Sequence, residues 1–174
     1  PIIQYPQDMV AMQELVWRVR PDLIIETGIA HGGSLVLSAS LLALLDMSDA
    51  IEAGTTLDPR ASRRKVLGVD IDIRAHNRVA IESHPLSHRI RIIEGSSTDP
   101  ATVARAAEAA AGASSVLVVL DSNHEREHVL AELEALLQLD AGQGAAVDRE
   151  ADAIVALSEA TAPAAVMRAP RQMQ

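Results

Sequence analysis

The stretch Leu23-Ile24-Ile25-Glu26-Thr27-Gly28-Ile29-Ala30-His31-Gly32-Gly33-Ser34 constrains the fold more than any other part of this 174-residue chain. Three apolar residues, two of them β-branched, predict a short buried strand. A glycine-rich turn follows, and Ser34 then stands as the cap of a leucine-rich helix. Glycine lets such a turn reach positive φ or approach a ligand closely, and the helix behind it offers unpaired N–H groups to a polar cofactor. Glu26, at the strand's end, is placed to receive a cationic or hydroxyl-bearing ligand group. The spacing Gly28-x-x-x-Gly32-Gly33 departs from G-x-G-x-x-G and so disfavours an NAD site. An ordinary strand-to-helix turn of an α/β protein satisfies the same residues.

The length suits one domain with its own core. Tyr5 and Trp17 are the aromatic residues and phenylalanine is absent, so the core is built from Val, Ile, Leu, Ala and Met. A base-stacking platform for single-stranded nucleic acid is excluded on the same ground. A net charge of −9 argues against a general nucleic-acid binder, and Arg60, Arg63, Arg64 and Lys65 read as a solvated loop. Without cysteine there are no disulfides and no thiolate metal sites. No secretory signal, lipidation motif or long unbroken apolar run is present, which predicts a soluble, cytoplasmic chain with no membrane partner. A start at Pro1 without an initiator methionine reads as a fragment or a processed product.

Pro6-Gln7-Asp8 marks a helix start, and Met9, Met12, Val16 and Val19 recur at helical spacing until Pro21, predicting a helix over 8–20. A helix over 34–46 follows the central turn, and 48–64 reads as a surface loop. Residues 65–70 form a second buried strand ending in Asp70. An acid at that tip of a doubly wound sheet can hold both ribose hydroxyls of a nucleotide-like ligand. A helix opens near Asp72 and closes near Pro85, and 90–95 supplies a third strand. Ser96 and Ser97 follow it, placed either to bond an adenine edge or to cap and turn the chain. Asp99-Pro100 opens an alanine-rich helix closed by Gly112. The fourth strand, 115–120, delivers Asp121-Ser122-Asn123-His124 to the edge where open α/β sheets bind their ligands, and 125–139 is an amphipathic helix. Strands and helices in alternation predict a parallel sheet with flanking helices.

With Glu26-Thr27-Gly28-Ile29-Ala30-His31-Gly32-Gly33-Ser34, Gly68-Val69-Asp70-Ile71-Asp72-Ile73-Arg74, Ile93-Glu94-Gly95-Ser96-Ser97 and Leu120-Asp121-Ser122-Asn123-His124 in one order, the chain resembles the cephalosporin hydroxylase family over residues 1–139. That family has the Rossmann-like class I methyltransferase fold. It includes an enzyme that takes part in methoxylating the cephalosporin ring and sugar O-methyltransferases acting on rhamnosyl groups. The resemblance implies S-adenosylmethionine as cofactor, Mg²⁺ beside the acceptor hydroxyl, a small-molecule acceptor and a homo-oligomer. It assigns Glu26, Gly28 and Gly32 to the cofactor turn, Asp70 to the ribose, Ser96 and Ser97 to the adenine, and Asp121 to the metal. His31 and Ser34, by their place in the same turn, are further candidate cofactor contacts. Methyl transfer asks a protein to orient two reactants and lower the acceptor hydroxyl's pKa, which a cation at Asp121 would do. His124 is the candidate catalytic base, with a second-shell role and a helix-capping role left open beside it.

Beyond Leu139 the family pattern fails. The family continues with a fifth strand bearing further acidic metal ligands and a last hairpin, whereas here an Ala-, Asp- and Arg-rich tail shows no strand-like run and a weak helix over 150–160. Residues 1–139 therefore read as an incomplete domain, and 140–174 as the product of a truncation or a shifted reading frame. The fourth strand is expected to lose its outer neighbour, and a metal on Asp121 alone to be weakly held. Two rival functions remain, a nicotinamide-dependent oxidoreductase and a non-catalytic cofactor-binding or assembly module.

Overall fold

The computed structural model describes residues 1–137, 153–156 and 165–167. Helix α1 (Pro6–Val19) opens on a proline, whose missing N–H costs nothing at that position. It ends at Arg20, left-handed at φ 53, just before Pro21. Strand β1 (Leu23–Thr27) is buried at every position, as expected of a parallel strand covered on both faces. It pairs in parallel with β2 (Lys65–Asp70) on one side and β4 (Val116–Leu120) on the other, and β3 (Ile90–Glu94) pairs in parallel with β2. The helices α2 (Gly33–Ala53), α3 (Ala75–Glu82), α4 (Pro100–Ala110) and α5 (Arg126–Leu137) connect and cover these strands.

Strand side chains alternate between two cores, as the two-residue period requires. Ile24, Val66, Leu117 and Val119 pack with α1, α2 and α3, and Leu23, Ile25, Leu67 and Val118 pack with α4 and α5. Helix α2 is long and apolar enough to cross a membrane by length and composition, with a mean hydropathy of 1.6. Here its Leu35, Ala39, Leu42 and Leu45 are fully buried in the first core.

Two expectations are corrected. Helix α2 runs seven residues past the predicted end at 46, into the segment read as loop, and closes on left-handed Gly54 (φ 63). The polar residues that suggested a loop are the helix's polar face: Ser48 Oγ donates to Glu52 Oε1 at 3.1 Å, and Arg64 Nη1 donates to Asp49 at 2.6 Å. The tail, read as free of strands and weakly helical over 150–160, instead adds β5 (Ala153–Ala156), parallel to β4, and β6 (Ala165–Met167), antiparallel to β5. The sheet order is β3-β2-β1-β4-β5-β6, so β4 has an outer neighbour. Strands of four and three residues set among alanines are too short to show a period. The remainder of 140–174, and with it the reading of that tail as truncated or frameshifted, lies outside the described residues.

Candidate functional site

The register sets the site. Thr27 lies opposite Val69 on one side and Leu120 on the other, so Gly28, Asp70 and Asp121 leave the sheet at one edge. Two further backbone bonds hold these tips together, Gly28 N–H to the Val69 carbonyl and Asp121 N–H to the Thr27 carbonyl, each 2.9 Å. Gly28 has φ +79, and a Cβ there would stand 2.2 Å from the Asp121 carbonyl oxygen. No other residue type fits that approach.

Asp70 clamps the turn. Its Oδ2 accepts the Ile29 N–H at 2.8 Å and the Ala30 N–H at 3.3 Å, and its Oδ1 accepts the Asp72 N–H at 3.0 Å. Ala30 is left-handed at φ 44, a conformation that costs a residue with a Cβ roughly 1–2 kcal/mol. Asn77 Nδ2, donating to the Ala30 carbonyl at 3.0 Å, helps to hold it there. An ionised carboxylate offers about four acceptor positions, so Asp70 retains capacity for a hydroxyl donor.

Ser34 does not cap its helix, contrary to the sequence reading. The cap is Gly32, left-handed at φ 79 and without a side-chain bond, and Ser34 Oγ turns inward to donate to Glu26. Glu26 is 1% exposed. Burial pushes its carboxyl up to about 8; the Ser34 bond opposes this, and the charge of Asp121 adds to it. Glu26 thus lies beneath the turn, protonated at neutral pH, and receives a hydroxyl of the protein itself.

A cleft of about 320 Å³ lies over the strand tips. Gly28, Ala30, Asp70, Asp121, Ser122 and His124 line it from the sheet edge, and Gln4, Tyr5 and Asp8 close it from the N-terminal stretch. Gln4 Nε2 donates to Asp121 Oδ2 at 3.3 Å, and His124 Nε2 stands 3.9 Å from Asp121 Oδ1. His31 and Gly32 line a different, largely apolar cleft of about 490 Å³ with Met9, Leu37, Ile81 and His84. Ser96 Oγ is 3.1 Å from Thr98 Oγ1, and buried Ser97 donates to Glu132 Oε1 at 2.5 Å, so both serines bond protein partners. The structure brings together Gly28, Asp70, Asp121 and His124; it sets the other candidates around or beneath them.

The sequence reading missed Gln4, Asn77 and Glu132. Nothing in the sequence marks Gln4. Glu132 had a signal: it is a carboxylate inside the apolar stripe of Val129, Leu133 and Leu136, on the buried face of α5. Among the described residues no three carboxylate or imidazole groups converge to hold a metal ion. Asp121 is the one ligand the resemblance assigned, and the described residues do not complete a Mg²⁺ shell around it.

A sheet with this strand order, parallel except for β6, flanked by helices and carrying acidic residues at the tips around a glycine turn, is the class I methyltransferase fold. Within that class the chain belongs to the Rhamnosyl O-methyltransferase/CmcI family, which it matches over residues 1–147. Rhamnosyl O-methyltransferases of Mycobacterium tuberculosis H37Rv and Mycobacterium bovis BCG are 29% identical to it over 139 residues, 76% of this chain and 46% of theirs. The chain thus spans about half the length of the curated relatives it matches. Among solved structures, CmcI with Mg and S-adenosylmethionine superposes with a TM-score of 0.53 at 17% identity, covering 89% of this chain and 53% of that one. The MycE methyltransferase of mycinamycin biosynthesis, in complex with Mg and S-adenosylhomocysteine, gives a TM-score of 0.52 at 21% identity, covering 87% and 30%.

Proposed function

We propose that this chain is the cofactor-binding part of an S-adenosylmethionine-dependent O-methyltransferase whose acceptor is a hydroxyl on a small molecule, a sugar or a cephalosporin-type antibiotic. The observation that carries the reading is the convergence of Gly28, Asp70, Asp121 and His124 on one cleft at the carboxyl edge of the sheet. The relatives named as rhamnosyl O-methyltransferases support the oxygen acceptor and the sugar class.

The cofactor, when bound, supplies a methyl group on a sulfonium centre. Transfer to an acceptor oxygen would displace the sulfur and would need a base for the hydroxyl proton. Asp70 would accept a ribose hydroxyl at the acceptor position its three backbone bonds leave. His124, in the same cleft, takes the proton, and Asp121 beside it stabilises the imidazolium that results. Tyr5 and Asp8 wall the cleft from the N-terminal side. Assistance by Mg²⁺ would need oxygen ligands beyond Asp121, and no step of this scheme passes through a metal.

Isothermal titration with S-adenosylhomocysteine and with NAD⁺ tests the reading. Binding of the first and not the second is expected; the reverse makes the chain a nicotinamide-binding protein. Given an acceptor, His124→Ala is expected to lower turnover about 10²-fold or more while leaving cofactor affinity unchanged. Cofactor binding with no methyl group reaching any acceptor, with or without Mg²⁺, would favour the non-catalytic module.

A further inference from the structure

Glu132 lies on α5, 0% exposed, inside an apolar stripe. Its Oε1 accepts Ser97 Oγ at 2.5 Å and Ser122 Oγ at 2.6 Å, and His128 Nε2 approaches the same oxygen at 3.4 Å. Its Oε2 is buried with no hydrogen-bond partner. A buried carboxylate only half satisfied is costly, and a leucine at this position would complete the stripe. Stability alone does not explain it.

The sheet order does. Ser97 follows β3 and Ser122 follows β4, and these strands are separated by β2 and β1. No ladder bond fixes one loop against the other. Glu132 does so with a single oxygen. At one end the loop after β3 is tied to Asp70, whose carbonyl accepts the Gly95 N–H at 2.8 Å. At the other end Ser122 is the neighbour of Asp121 and lines the same cleft. A closed path thus runs from Asp70 through Gly95, Ser97, Glu132 and Ser122 to Asp121.

We infer that Glu132 is a positioning residue: the ladder sets the spacing of Asp70 and Asp121, and Glu132, by strapping the loops after β3 and β4 to α5, fixes the loops that flank those tips and so the fit of the adenosyl ligand there. The inference rests on the proposed cofactor. It touches no reacting atom and acts through Ser97 and Ser122.

The test is titration of S-adenosylhomocysteine into the wild-type chain, Glu132→Ala, Glu132→Gln and the double variant Ser97→Ala/Ser122→Ala, with hydrogen exchange of residues 95–98 and 121–125 measured without ligand. Glu132→Ala is expected to weaken binding about tenfold or more and to speed exchange in both loops together. Glutamine keeps an acceptor oxygen for both hydroxyls and should restore affinity to within about threefold of wild type. The serine pair should reproduce the alanine loss, and adding Glu132→Ala to it should cost nothing further, because the three residues act as one unit. Alanine binding within about twofold of wild type, multiplicative losses, or no rescue by glutamine would overturn the strap. If Glu132→Ala fails to fold, the single serine variants, each keeping one of the two bonds, carry the same comparison. No binding by the wild-type chain overturns the cofactor reading and the inference with it, whereas equal binding by all variants overturns the strap alone.

Discussion

Asp70 and Glu26 share one edge of the sheet, and their surroundings give them opposite properties. Asp70 faces the cleft and accepts three backbone N–H groups of the turn and of its own loop. Asp70→Ala should weaken S-adenosylhomocysteine by roughly 1–3 kcal/mol in a titration, through loss of the ribose hydrogen bond and a loosened turn. Unchanged affinity would remove Asp70 from the site. Glu26 is buried, with its carboxyl raised from 4.5 to about 8. Between those values the folded chain keeps a proton that the unfolded chain releases, so stability falls as pH rises through the interval. The contribution is whole below 4.5 and gone above about 8. Urea unfolding near both limits should show wild type losing on the order of a few kcal/mol relative to Glu26→Gln, which has no proton to lose. Parallel pH profiles for the two proteins would refute the burial argument.

Among the elements, α2 does the most to hold the site's support in place. Its inner face is the first core, and its second half carries Asp46, which accepts Arg64 Nη1 at 2.8 Å and Arg89 Nη1 at 2.6 Å. Arg89, 1% exposed, enters β3, and Arg64 enters β2, so one carboxylate ties α2 to both strands. Burial alone would raise the Asp46 carboxyl; bonds from Ser62, Arg64 and Arg89 outweigh it and hold the group below its ordinary 3.8. The stabilisation is thus present above that value and lost as pH falls through the lowered one. Asp46→Ala would leave the buried Arg89 without its counter-charge and should cost about 3–5 kcal/mol in denaturant unfolding. A loss below about 1 kcal/mol would mean that the pair contributes no more than an exposed one. The extension of α2 past 46 was illegible in the sequence because Asp49 and Glu52 look like loop residues until their partners on other segments are known. The start of α4 was legible: Asp99 accepts the Thr102 N–H at 3.0 Å and Pro100 opens the helix, both local features.

For the molecule as a whole, ligand binding to the folded state alone should appear as stability. At a hundred times its dissociation constant, S-adenosylhomocysteine should add about 2.7 kcal/mol and raise the melting temperature, and NAD⁺ at the same concentration should add nothing. No shift with the first ligand would count against the cleft as its site. The alternation of four strand-helix units, the glycine turn and the acids at the tips were all readable in order along the chain, because each depends on neighbours a few residues away. Along the chain alone Glu26, Asp70 and Asp121 could be placed at the carboxyl ends of β1, β2 and β4, since a parallel sheet with helical crossovers brings every strand's carboxyl end to one edge. Only the tertiary structure decided what each carboxylate does there. Ser34 turned from capping to bonding Glu26, Asp70 took on the turn, Gln4 reached Asp121 across the chain, and Glu132 gathered two loops from strands that do not touch. Burial and long-range hydrogen bonds set a side chain's charge and partner, and neither is encoded in the spacing of residues along the chain.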